Sequence, residues 1–102
     1  MRPAALLLTA CLTFSAPAGA DDVPALLNEH KCDACHAERE AGTGPAWSDI
    51  AAAYKGQAGA QARLAADIRG GMRGGPWHMP PHPEISEAQA RALVAYILAV
   101  QH

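Results

Sequence analysis

Two cysteines and a histidine at fixed spacing place the strongest constraint on this chain. Cys32, Cys35 and His36 lie in the run KCDACH, within 102 residues that are enough for one domain. Three chemistries use such a run: a redox-active dithiol, part of a zinc site, or covalent attachment of haem. The rest of the sequence discriminates among these three.

The first twenty residues, MRPAALLLTACLTFSAPAGA, are typical of a secretory signal peptide. A basic start at Arg2 is followed by an apolar run and then by small residues at 18–20. The run is too short to span a bilayer. We therefore expect residues 1–20 to be a signal peptide and residues 21–102 to be the mature domain, located in the periplasm. The alternative is a lipoprotein anchored through Cys11, which requires a very short leader.

The mature domain contains too little apolar bulk to fold on its own core. Alanine and glycine are abundant, and two cysteines cannot form a disulfide framework. Domains of this size usually need a metal, a cofactor or a covalent staple. The only aromatic residues of the mature domain are Trp47, Tyr54, Trp77 and Tyr96.

The pattern of apolar residues predicts four helices and no strands, so the fold class is all-α. The helices cover about 23–31, 46–54, 61–69 and 86–100, and the first runs directly into KCDACH. Ser86 and Gln89 form a capping box at the start of the last helix. The segment 70–83, GGMRGGPWHMPPHP, is too rich in glycine and proline for a helix, and loops of this length usually have a function.

The spacing Cys-x-x-Cys-His is typical of c-type haem attachment. On a helical turn, Cys32 and Cys35 face one side and can each form a thioether with a haem vinyl group, while His36 faces the iron. A thioredoxin-like dithiol needs a strand before the motif, and a zinc site needs a second pair of ligands. We therefore expect one covalently bound haem c, which also supplies the missing apolar mass.

The 70–83 loop supplies the candidates for the second axial ligand of the iron. Met79 is favoured because Pro80 and Pro81 stiffen the backbone beside it. An open site is the remaining possibility, and His30 and His102 are interpreted as surface histidines. The rivals of Met79 are His78 first, then His82 and Met72, of which Met72 is expected to face solvent.

These features resemble the small single-haem class I cytochromes c of bacteria, of the type called cytochrome c-551 or c-8, over residues 22–101. Besides KCDACH, the resemblance is carried by Gly-Pro-Ala at 44–46, YKGQAGA at 54–60, Met-Pro-Pro at 79–81 and the terminal helix. It implies a class I cytochrome c fold of about four short helices around one haem. It also implies that the Pro45 carbonyl accepts a hydrogen bond from His36 Nδ1–H.

Trp77 departs from the family pattern, because it lies only two residues before Met79. The family's tryptophan hydrogen bond to a haem propionate is therefore not transferred to it. Trp47 and Trp77 are each expected either to donate an indole N–H or to fill space beside the porphyrin. Arg69 and Arg73 are expected either near a propionate or in solvent.

Filled axial positions leave no room for a substrate, so we predict a monomeric electron carrier and not an enzyme. Its partners would be redox proteins, either periplasmic or membrane-bound reductases and oxidases. The excess of acidic over basic residues, 10 against 8, argues against nucleic acid, and the mature domain has no transmembrane segment. The alternative is a haem-based ligand-binding or sensor protein with an open or His-ligated sixth site.

Overall fold

A computed structural model describes residue 4, residues 22–75 and residues 78–101 of the chain. The proposed signal peptide, Cys11, Trp77 and His102 thus lie outside the described residues, apart from position 4. No helix in the described part of the chain is long and apolar enough to cross a membrane.

Four α-helices make up the regular structure of the described segments, which contain no strand. They are α1 (Val23–Glu29), α2 (Trp47–Tyr54), α3 (Ala60–Gly70) and α4 (Glu87–Leu98). Each begins and ends within two residues of its predicted bounds, and the all-α prediction is confirmed. The Ser86–Gln89 capping box is present in both directions, so α4 begins where the local sequence predicts.

Helix α4 organises the core because it packs against each of the other three helices. Its apolar face buries Leu93 and Val94 almost completely, together with Ile85 just before the helix. Trp47 is the only aromatic residue in the buried cluster of the described chain. Small side chains fill much of the remaining interior, in agreement with the predicted shortage of apolar bulk.

The first helix does not run into the KCDACH motif, and that prediction was wrong. Helix α1 ends at Glu29, and Lys31 adopts the left-handed conformation with φ 58°. A separate 3₁₀ turn, Cys32–Ala34, then carries the motif. Left-handed backbone is uncommon for a residue with a side chain, and periodicity of apolar residues gives no signal for it.

Candidate functional site

The two cysteines lie at the start and just after the end of the 3₁₀ turn. Both thiols are free and partly exposed, and the Cys32 side chain packs against the buried cluster. Burial raises the pKa of the Cys32 thiol, and the carboxylates of Asp33 and Glu84 raise it further. A reactive dithiol depends on a lowered thiol pKa, so this environment does not favour redox exchange at Cys32.

His36 is held in one orientation by the chain that follows it. Its Nδ1 lies 2.7 Å from the carbonyl oxygen of Pro45. A carbonyl only accepts, so Nδ1 carries the hydrogen and donates it. In the neutral imidazole the other nitrogen, Nε2, then keeps a free lone pair, which is the form that binds a metal.

The His36 ring is enclosed by two neighbours of this same segment. On one side, the Trp47 ring stacks on it with centroids 4.3 Å apart. On another, a Cβ built at Gly44 would lie 2.5 to 2.9 Å from three ring atoms, so a larger residue there would force the ring to move. The Trp47 ring thus packs against the imidazole, and the two roles expected for it beside the porphyrin stay predictions.

Met79 is fixed by its backbone to the start of the 70–83 loop. The N–H groups of Met72 and Met79 each donate to the other's carbonyl, at 3.0 and 3.1 Å. The Met79 side chain is partly buried and packs against the same cluster as Cys32. The fold thus brings the 3₁₀ turn and the 70–83 loop to one core.

A glycine at the end of α3 makes this loop possible. Gly71 has φ 77°, in the region that favours glycine. A Cβ there would lie 2.8 Å from the Pro81 nitrogen and 2.9 Å from the Met79 carbonyl oxygen. Position 71 therefore favours glycine for two reasons. Its backbone is left-handed, and the returning chain passes close to it.

The rivals of Met79 are placed less favourably. The Met72 side chain is 45% exposed, as expected, and His78 is exposed. His82 donates from Nδ1 to the Glu84 carboxylate at 3.1 Å, and its side chain is only 18% exposed. His82 is therefore partly buried and already hydrogen-bonded to a carboxylate.

His30 is the clearest error of the sequence interpretation. It is not a surface histidine, because its side chain is 12% exposed and Nδ1 lies 3.3 Å from the Glu84 carboxylate. Arg69 also has a partner that sequence alone did not indicate, since its Nε donates to the Ile85 carbonyl at 2.9 Å. Arg73 is exposed.

The residues present fit a haem group in their chemistry. Two free thiols, an imidazole with an available nitrogen and a partly buried thioether lie on segments that share one core. Four short helices around such a set define the class I cytochrome c fold.

Comparisons with known proteins agree with this class. The cytochrome c family model matches residues 20–101, so the chain belongs to the cytochrome c family. Cytochrome c-551 of Pseudomonas aeruginosa is 43% identical, and the match covers 97% of this chain and 98% of that protein. The crystal structure of Nitrosomonas europaea cytochrome c552 superimposes with a TM-score of 0.72 at 39% identity, over 76% of this chain and 99% of that one.

A more distant structure shows the same fold. The class 1 cytochrome MtoD from Sideroxydans lithotrophicus ES-1 aligns with a TM-score of 0.65 at 24% identity, over 78% of this chain and 94% of that one. The chain is thus a cytochrome c that carries one covalently bound haem c and transfers electrons. The zinc, dithiol and haem-sensor alternatives are not favoured by this membership.

Proposed function

We propose that Cys32 and Cys35 hold the haem through two thioethers, and that His36 and Met79 are its axial ligands. The observation that carries the proposal is the hydrogen bond from His36 Nδ1 to the Pro45 carbonyl. It leaves Nε2 with a lone pair and keeps the ring from rotating. When bound, the haem supplies an iron that gains and loses one electron.

Three residues that follow His36 each have a separate task in this proposal. Pro45 orients the proximal imidazole and raises its basicity, since an N–H that donates makes the opposite nitrogen a better ligand. Gly44 leaves space for the ring, and Trp47 supports its face. The protein therefore offers a preformed imidazole ligand that needs little rearrangement when the iron changes oxidation state.

Met79 supplies the second ligand from a loop whose ends are paired. The Met72–Met79 backbone bridge limits how far the thioether can move away. A histidine–methionine pair raises the reduction potential compared with other ligand sets. With both axial positions filled by the protein, the function is electron transfer without substrate chemistry, and the chain is not an enzyme.

The cellular setting belongs to the same proposal. The sequence of residues 1–20 supports export to the periplasm, where a monomer would meet periplasmic or membrane-bound reductases and oxidases. Contacts between such carriers and their partners are small and short-lived. A lipid anchor through Cys11 is the less favoured arrangement.

The optical spectrum of the ferric holoprotein tests the ligand set. A methionine ligand gives a sulfur-to-iron charge-transfer band in the near infrared, and we expect this band in the wild type and its loss in Met79→Ala. The same substitution should lower the reduction potential and admit external ligands. Met72→Ala is the matched control and should keep the band. A band that survives Met79→Ala would show that another residue binds the iron.

A further inference from the structure

Two histidines from distant parts of the chain converge on one carboxylate oxygen. His30 Nδ1 and His82 Nδ1 lie 3.3 and 3.1 Å from the same Oε1 atom of Glu84. His30 is the C-cap of α1 and lies two residues before Cys32. His82 and Glu84 follow Met79 and precede α4. We call this group of three residues the Glu84 clasp. It joins the attachment segment, which begins at His30 and contains Cys32, to the 70–83 loop.

The burial of the two imidazoles makes the shared carboxylate important. The side chains of His30 and His82 are 12% and 18% exposed, whereas that of Glu84 is 52% exposed. Exposed ion pairs usually contribute little. A polar group shielded from water is different, because removing its partner leaves it unsatisfied. Glu84 gives both of these largely shielded imidazoles a hydrogen-bond acceptor.

The negative charge of Glu84 also affects the Cys32 thiol. Hydrogen bonds from its own backbone and from His82 and His30 lower the pKa of the Glu84 carboxyl, so it is ionised near neutral pH. The same negative charge contributes to the raised pKa of the Cys32 thiol.

The clasp is not a metal centre, because the described residues contain no group of three or more side chains suited to hold a metal ion. The Glu84 clasp restrains the 70–83 loop instead. His82 is fixed twice, since its backbone N–H also donates to the Ile68 carbonyl at 3.1 Å. Pro80 and Pro81, which separate it from Met79, have fixed φ angles, so a restraint at His82 is transmitted to Met79.

We propose that Glu84 is a positioning residue for the sixth ligand, which ties the Met79 loop to the attachment segment through His82 and His30 and so keeps the thioether on the iron. This inference rests on the proposed function, because it takes Met79 as the axial ligand. Loss of the carboxylate should let the loop swing away more often, and an external ligand should then displace Met79 more easily.

The test compares ferric holoproteins of the wild type, Glu84→Ala and Glu84→Gln. Glu87→Ala is the matched control, because it also removes one carboxylate and one ion pair, three positions further on. Imidazole is added while the sulfur-to-iron band is followed. We expect Glu84→Ala to bind imidazole roughly five- to tenfold more tightly, since tenfold corresponds to about 1.4 kcal/mol. Glu84→Gln should lie closer to the wild type, because its amide oxygen still accepts a hydrogen bond.

A second measurement is independent of the iron. Amide hydrogen exchange at Met72 and Met79 reports opening of the loop, and we expect faster exchange in Glu84→Ala than in Glu87→Ala. If the band is present but Glu84→Ala and Glu87→Ala have the same imidazole affinity and the same amide exchange rates, the inference about Glu84 is wrong and the ligand assignment stands. If the wild type lacks the band, Met79 is not the ligand and both proposals fall.

Discussion

The segment 32–47 and the 70–83 loop hold their functional side chains in different ways. His36 is fixed by partners within the next eleven residues, namely Gly44, Pro45 and Trp47. Met79 depends on partners spread over the fold, because its loop is tied to α3 through Ile68 and Arg69 and to α1 through the Glu84 clasp. In the proposed ligand set, the proximal ligand is therefore held by local sequence and the distal ligand by tertiary contacts.

The largest expected effect comes from removing the covalent attachment altogether. Replacing both Cys32 and Cys35 by alanine should leave no haem on the denatured chain. It should also remove most of the roughly 5–15 kcal/mol that stabilises a typical domain, because the haem supplies the apolar mass that the core lacks. Haem staining of the denatured protein and thermal unfolding measure the two effects. A double variant that stays fully folded without haem would contradict the account.

Gly71→Ala tests the distal side of the comparison. The substitution combines a strained left-handed backbone with a close approach to Pro81 and Met79, and we expect a loss of about 2–4 kcal/mol in unfolding free energy. The sulfur-to-iron band should weaken as well. Gly59→Ala is the control, because Gly59 has φ 80° but open space around it. An equal loss of unfolding free energy in Gly71→Ala and Gly59→Ala would mean that the close approach to Met79 plays no part.

Gly44→Ala tests the proximal side. The added methyl group would push against the His36 ring, which has little freedom while it is bound to Pro45 and stacked on Trp47. We expect about 1–3 kcal/mol of destabilisation and a changed haem spectrum with the sulfur band retained. Gly70→Ala, which has nothing within 4 Å, should be neutral or slightly stabilising. An unchanged spectrum in Gly44→Ala would show that the ring is freer than its contacts indicate.

The smallest expected effect is the contribution of Glu84 to stability in acid. Its folded-state pKa lies below the ordinary value of 4.5 because of hydrogen bonds from its own backbone and from His82 and His30. A lowered folded pKa stabilises the fold above the unfolded pKa, and this contribution is lost as the pH falls through the folded pKa. Glu84→Gln should therefore flatten the fall in unfolding free energy below about pH 4.5. Identical acid unfolding curves for the variant and the wild type would refute this assignment.

The sequence predicts best where structure depends on neighbouring residues. The capping box of Ser86 and Gln89 specifies the start of α4 by local hydrogen bonds, and its apolar face follows from helical spacing. The Cys-x-x-Cys-His run likewise places two thiols and an imidazole within five residues. Both could be read from short windows because their partners lie inside the window.

The sequence fails where partners are distant along the chain. The interpretation of His30 as a surface histidine is wrong because its partner Glu84 is distant in sequence and comes close only in the folded chain, where α4 packs on α1. The break at Lys31 was missed because a left-handed residue other than glycine leaves no compositional signal. For the second axial ligand, the sequence favours Met79 through Pro80 and Pro81 but leaves other side chains in competition, and the choice among them stays a prediction.

A crystal structure of the holoprotein would test the central claim most directly. We predict thioether bonds from Cys32 and Cys35, with His36 Nε2 and the Met79 sulfur on opposite sides of the iron. His36 Nδ1 should still donate to Pro45, and Glu84 should still bridge His30 and His82. Iron bound by His78 or His82 in place of Met79 would contradict the account of how this fold holds its distal ligand.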